Sequence, residues 1–182
     1  MSVAPSRQTT DDGQRTSTDN SMDKIEYKPI GIIHSPFRTP EGTPIQPTGG
    51  VGIEAEVEIF PEYIEGLDDL ESFSHIILLY HFHLSKNFSL KVKPFLDNVY
   101  RGLFATKAPA RPNSIGLSVV RLLRTERGRL HVQDIDMVDL TPVLDIKPYV
   151  PAFDSRKADR TGWVESLTHN AETVKGDGRF AK

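Results

Sequence analysis

Two stretches of the chain concentrate side chains suited to chemistry. In residues 104–118 (FATKAPARPNSIGLS), Pro109 and Pro112 stiffen a loop that carries Lys107 and Arg111, and Asn113 then opens a strand. Cations on a rigid loop lose little entropy when they bind an anion or an aromatic base. In residues 136–149 (DMVDLTPVLDIKPY), Asp139, Thr141 and Asp145 surround a proline-bearing turn, and Lys147 and Tyr149 follow beyond a strand. A third grouping is His75, His81 and His83, which share one strand face under a period of two. His81 and His83, roughly 7 Å apart at the backbone, would form half a metal site. No Cys, no HExxH and no obvious third ligand completes it, so no metal is expected. These histidines are expected to line a pocket or sit satisfied in the core.

Other chemistries lack their signatures. Thr48-Gly49-Gly50-Val51-Gly52 does not have GxGxxG spacing, and it leads into a strand where a phosphate loop needs a helix N-terminus. It reads as a tight turn. No serine sits in a GxSxG elbow. The absence of cysteine removes disulfide scaffolds, zinc ribbons and thiol nucleophiles. No run of 18 apolar residues is present, so the expectation is a cytoplasmic protein with no membrane span.

The charge average, 22 basic against 25 acidic residues in 182, conceals an asymmetry. Residues 52–74 hold eight acids and no Lys or Arg, whereas residues 86–129 hold ten Lys or Arg against two acids. Such clustering suits an anionic partner; it also suits charges that pair with each other across the surface.

The elements that must position these groups are mostly strands. Residues 27–34 and 51–59 read as strands, the second with Ile53, Ala55, Val57 and Ile59 on one face and Glu54, Glu56 and Glu58 on the other. Residues 61–70 read as a short helix or turn, and residues 75–82 as a largely buried strand. Residues 114–123 and 129–137 form an expected hairpin around residues 125–128. The slip of apolar phase after Val132 predicts a bulge near Gln133-Asp134. Residues 143–146 add another strand, and residues 161–174 fit one helix with Trp163 and Leu167 at i and i+4. Short strands, frequent prolines and no strand–helix alternation predict a mainly β fold, a barrel or open sheet. Residues 1–24, Ser/Thr/Asp-rich and without aromatics, read as a disordered tail. Residues 25–155 then form one domain, and residues 156–182 a partly helical C-terminal extension.

With the two stretches extended to FATKAPARPNSIGLSVVRL and DMVDLTPVLDIKPYVPAFD, the sequence resembles the TsaA-like, or TrmO, family of S-adenosylmethionine-dependent tRNA methyltransferases. IGIIHSPF, the Gln46-Pro47 loop and LESFSHIILLYHFH support it, in the family's order. This chain has Lys107 where the family usually has Arg, Ser114 for Pro and Leu140 for Gly. The resemblance implies a small TsaA/YaeB-like β-barrel, usually a homodimer, that binds S-adenosyl-L-methionine near the subunit interface. It implies N6-methylation of threonylcarbamoyladenosine at tRNA position 37, with the tRNA anticodon loop as partner. Carried over residue by residue, cofactor contacts fall on Gln46, Pro47, Thr48, His83, Leu84, Lys107, Leu117, Val138, Asp139, Leu140 and Thr141. An exocyclic amine that takes a methyl group must shed a proton, for which Asp139 is the first candidate acceptor and Tyr149 an orienting group. Arg101, Lys107, Arg111 and Asn113 are the candidates for holding RNA. Two other readings stay open: a methyltransferase of the same fold on a small molecule, and a non-catalytic cofactor- or RNA-binding module.

Overall fold

A computed structural model describes residues 25–181; the predicted tail, residues 1–24, lies outside the described residues. Six strands close into an antiparallel barrel. They are β1 (Gly31–His34), β2 (Glu54–Ile59), β3 (His75–His81), β6 (Ile115–Glu126), β7 (Arg129–Gln133) and β8 (Thr141–Pro148), in the order β1-β2-β7-β6-β3-β8. Closure leaves no unpaired strand edge. A two-stranded ribbon, β4 (Lys91–Val92) with β5 (Arg101–Gly102), stands apart on the long excursion between β3 and β6.

Period-two alternation fills the barrel. Ile33, Val57, Ile76, Leu78, Val120, Leu130, Val132 and Val143 point inward with no exposed surface. Ile135 and Met137, just beyond β7, close one end of this core. Because successive barrel strands are antiparallel, their connections fall alternately at the two ends. The β1–β2 loop, the β3–β6 excursion and the β7–β8 segment gather at one end, called here the loop end. The β6–β7 hairpin and the β2–β3 connection lie at the other, the hairpin end.

Several elements differ from the sequence reading. The first strand begins at Gly31, not at residue 27, and β2 begins at Glu54, because Gly52 adopts a left-handed turn (φ 80°) and Val51 is exposed. The phase slip has another origin than a bulge at Gln133. β7 ends there, Asp134 turns left-handed (φ 68°), and the register shift lies across the ladder between Leu122 and Arg124 of β6. The segment after Pro61 is 3-10 over Pro61–Leu67 and Leu70–Ser72. The helix expected over residues 161–174 is two short 3-10 turns, Gly162–Val164 and Thr168–Glu172, because that segment is spent on contacts with loops.

Outside the barrel, part of the acidic stripe is paired. Glu58 and Glu56 on β2 both receive Arg129 of β7, at 3.4 and 2.8 Å, and Glu58 also meets His34 of β1 at 2.8 Å. On the outer face of β3 and β6 the middle is apolar, Ile77 facing Val119 and Leu79 facing Leu117, between His75 opposite Arg121 at one end and His81 opposite Ile115 at the other. Leu117 is 58% exposed there.

Candidate functional site

The loop end is knit together by contacts across long sequence separations. The backbone N–H groups of Asp139 and Leu140 donate to Phe37 and Ile33, at 2.7 and 2.8 Å. Ser35 returns two bonds: its N–H donates to Asp139 Oδ1 at 3.0 Å, and its hydroxyl donates to the Met137 carbonyl at 2.8 Å. Arg38 pairs with the other carboxylate oxygen of Asp139. Thr141 donates to the Val138 carbonyl at 2.6 Å, closing the turn between them. At the apex of that turn Leu140 has φ 62° and is 57% exposed. Leu140 thus takes a backbone geometry that glycine adopts freely, at the steric cost of a Cβ in the left-handed region.

Inside the barrel mouth a polar chain replaces the apolar core. Ser118 occupies an inward position of β6 and donates to Asp136 Oδ1 at 2.7 Å. Its hydroxyl hydrogen being thus used, Tyr80 of β3 must donate to Ser118 at 3.1 Å. Tyr80 is buried, and burial together with the nearby Asp136 charge pushes its phenol far above its ordinary range. Gly116 makes room for the Tyr80 ring, which a Cβ at that position would strike. Asp136 has its carboxyl pushed up to about 6, chiefly by burial; the Ser118 hydrogen bond and the Lys107 charge oppose that rise. Lys107 in turn donates to Gln46 Oε1 at 3.2 Å. A 3-10 turn, Pro47–Gly49, lies against β6, and Gly50 comes so close to the Ile135 carbonyl that no side chain fits between them. Gln46 and Lys107 thus meet from two loops, and the charge of Lys107 reaches the Ser118–Asp136 pair held by β6 and a third loop.

The predicted site residues are distributed as follows. Gln46 and Lys107 touch across 61 residues, with Pro47 and Thr48 in the adjoining turn. His83 Nδ1 lies 3.5 Å from Thr141 Oγ1, and Leu84 follows it in a turn closed from Ser85 to Phe82. Burial and the neighbouring His81 hold the His83 imidazole below its usual pKa. Leu117 projects outward from β6 in the apolar ladder. Asp139 and Leu140 open onto a cleft of about 680 Å³ that also includes His34, Arg38, Glu56 and His131. Both carboxylate oxygens of Asp139 are already engaged.

Tyr149 is not brought to this end. It caps the far end of β8, its N–H bonded to His75 and its ring edge-on to the same residue, eight residues and so about 26 Å along the strand from Thr141.

Among the RNA candidates, Arg101 pairs with Asp97 at 2.6 Å and lies over the Trp163 ring. Arg111 donates to the carbonyls of Thr106 and Ala108 and lies over Phe104. Lys107 and Asn113 remain exposed. Among the described residues no cluster of three potential metal ligands occurs, and no helix is long and apolar enough to cross a membrane.

Sequence reasoning did not single out Asp136, Ser118 or Tyr80. A signal was present: Ser118 falls in the inward phase of Gly116, Val120 and Leu122, where a hydroxyl needs a polar partner.

A closed six-stranded antiparallel barrel with three loops converging on a polar mouth defines a small-barrel protein with its candidate site at one end. The family described as tRNA-methyltransferase O N-terminal domain matches residues 32–155. The chain is 54% identical over 156 residues to a probable S-adenosyl-L-methionine-binding protein of Pyrococcus abyssi, covering 86% of this chain and 85% of that one. It is 38% identical over 135 residues to the human tRNA (adenine(37)-N6)-methyltransferase, covering 70% of this chain but 31% of the human protein. The crystal structure of TrmO from Pseudomonas aeruginosa superposes with a TM-score of 0.65 at 40% identity, over 77% of this chain and 62% of that one. The chain belongs to the tRNA-methyltransferase O family.

Proposed function

We propose that the chain is an S-adenosylmethionine-dependent methyltransferase acting on N6 of threonylcarbamoyladenosine at tRNA position 37, in the cytoplasm. The observation that carries this reading is the Gln46–Lys107 contact at the loop end, with the Ser118–Asp136 pair within reach of the Lys107 charge and the turn Val138–Thr141 following Asp136 in the chain. The donor set suits the cofactor. Lys107 can hold a carboxylate, Gln46 and Thr48 can meet ribose or base, and Leu117 and Leu140 offer apolar surface to an adenine ring. The Ser85 hydroxyl, two residues past His83, is buried without a protein partner, which leaves a donor free for a ligand group.

When bound, the cofactor supplies an electrophilic methyl group. The chain's own work is to align N6 with it and to take the proton that N6 sheds. Asp136 is assigned as the proton acceptor in preference to Asp139, whose oxygens hold Ser35 and Arg38, and to Tyr149 at the opposite end. With its carboxyl near 6, Asp136 is ionised at neutral pH yet basic enough to accept a proton. A base in an anticodon loop is already single-stranded and can enter such a mouth without melting a duplex. Exposed Lys86, Lys91, Lys93 and Lys107 hold the loop's phosphates, while Arg101 and Arg111 stiffen the same excursion.

A homodimer fits the apolar ladder of β3 and β6. A second copy covering Ile77, Leu79, Ile115 and Leu117 would place Leu117 at both interface and cofactor site. Light scattering after size exclusion tests this: Leu117→Glu should give monomers with weakened cofactor binding.

The decisive experiment is mass spectrometry of nucleosides from tRNA incubated with the protein and S-adenosylmethionine. Methylated threonylcarbamoyladenosine is the expected product. Calorimetric binding without methylation of any tRNA would favour the small-molecule reading, and no binding at all would remove both enzyme readings.

A further inference from the structure

The segment after the matched residues 32–155 has its own job. It crosses the two loops that bring Gln46 and Lys107 to the site, and it holds both. On the β1–β2 loop it adds a short antiparallel pairing. Gly42 donates to the Gly176 carbonyl and Gly176 to the Thr43 carbonyl, each at 2.8 Å, with Lys175 bridged to Pro44. Lys175 Nζ then donates to the Gly49 carbonyl at 2.6 Å, directly behind the Pro47–Gly49 turn. The approach is close. A Cβ at Gly176 would run into the Pro40 carbonyl, and one at Gly49 would sit 2.9 Å from the Ala171 carbonyl.

On the β3–β6 excursion the same segment makes three anchors. Trp163 donates from its indole to the Ala105 carbonyl at 2.8 Å, two residues before Lys107, and its ring receives Arg101. Phe180 packs on a second small core of Val92, Leu103 and Ala108, the last adjoining Lys107. Arg179 donates to the carbonyls of Lys93 and Pro94 and lies over Phe95.

We infer that residues 162–180 are a positioning strap: they fix the β1–β2 loop against the β3–β6 excursion, so that Gln46 and Lys107 meet before any ligand arrives. The physical case is one of preorganisation. The site loops have little secondary structure of their own, and ordering them at the moment of binding would subtract from affinity. Anchoring both to one segment settles that cost during folding. None of the strap residues named here needs to touch the ligand, so their effect passes through the loops.

The inference rests on the proposed cofactor site, and the test separates the two. Gly176→Val, in the full chain, should part the strap from the β1–β2 loop. Its release is read independently as faster amide exchange at Gly42, whose N–H donates to the carbonyl of residue 176. The expected result is an S-adenosylmethionine Kd raised about tenfold. KM for the cofactor should rise with it while kcat at saturation stays near the parent value, and barrel unfolding should move by only a few degrees. Trp163→Phe, which keeps an aromatic ring but loses the indole N–H, should give a smaller rise. Should Gly176→Val fail to fold, Lys175→Met, at an exposed side chain, gives the same reading with about a threefold weaker Kd. An opened Gly42 amide with an unchanged Kd would overturn the strap's role. A parent protein that binds no S-adenosylmethionine would instead overturn the proposed function.

Discussion

The two ends of the barrel are built by different means. At the hairpin end, structure follows from neighbours in sequence. Arg127 (φ 49°) and Gly128 (φ 79°) make a two-residue turn with both φ positive, the geometry whose twist matches the flanking strands. The charges beside it, Arg129 with Glu56 and Glu58, lie on neighbouring strands and face water. At the loop end almost every stabilising contact spans a large part of the chain, from Ser35 to Asp139, Gln46 to Lys107 and Gly49 to Lys175. There the interior turns polar, with a carboxylate held where apolar side chains would be more stable. Both ends hold non-glycine residues in the left-handed region, Asp69 and Arg127 at one and Asp134 and Leu140 at the other, but the loop end alone adds the raised carboxyl of Asp136. Substitution at the loop end should therefore change stability and activity together, and at the hairpin end stability alone.

The largest expected effect is at Asp136. Its folded pKa, about 6, lies above the ordinary carboxylate value, so the folded state binds a proton more tightly than the unfolded chain. The penalty is absent below about pH 4, grows as pH rises toward 6, and is complete above it. At roughly 1.4 kcal/mol per unit it reaches about 3 kcal/mol at most. Asp136→Asn should thus be more stable than the parent at pH 8 and little different at pH 4, as measured by denaturant unfolding at both. The same variant should lose about a hundredfold or more in kcat, with cofactor Kd nearly unchanged. A more stable protein of undiminished kcat would place the proton acceptor elsewhere and leave Asp136 a mere plug of the barrel.

Gly116 sharpens the contrast from the packing side. A methyl group there meets the Tyr80 ring, which has nowhere to go without breaking its bond to Ser118. Gly116→Ala should cost about 1–3 kcal/mol, the usual range for overpacking, and should shift the pH dependence ascribed to Asp136. Equal stability to the parent in urea unfolding would mean the mouth is more plastic than its contacts suggest.

Much of the hairpin end was legible in the sequence, and less of the loop end. The alternation in β2, the strand His75–His81 and the turn before Arg129 follow from local period and turn chemistry. Resemblance implies cofactor roles for Gln46 and Lys107, and their contact across 61 residues depends on folding that no local pattern encodes. Asp139 was singled out ahead of Asp136 because spacing shows a carboxylate beside a turn but not which oxygens are already bonded. Residues 161–174 carry helical periodicity, yet Trp163 is drawn to the Ala105 carbonyl and the segment breaks into two 3-10 turns.

Leu140 tests whether the loop end accepts strain for function. A non-glycine residue at φ 62° costs about 1–2 kcal/mol relative to glycine, reduced by the greater freedom glycine has when unfolded. Leu140→Gly should raise stability by about 0.5–1 kcal/mol in thermal or urea unfolding. If the exposed leucine serves the adenine ring, the more stable variant should bind S-adenosylmethionine more weakly. A gain in both would show that the left-handed leucine contributes nothing at the site.

The smallest effect belongs to the hairpin end and completes the contrast. Arg129 bonds Glu56 and Glu58 with all three side chains about two-fifths exposed, so water and salt screen the attraction on both sides of folding. Arg129→Gln should change unfolding free energy by no more than about 0.5–1 kcal/mol at low salt, and the difference should shrink toward zero near 1 M NaCl. Cofactor affinity should not move, because no bond links this ladder to Gln46, Lys107 or Asp136 among the described contacts. A loss of several kcal/mol at low salt that salt largely removes would mean that repulsion within the acidic stripe on β2 is relieved chiefly by Arg129. The eight acids of residues 52–74 would then be the costly feature of this end, and its stability would rest on one guanidinium rather than on the alternation of the strands.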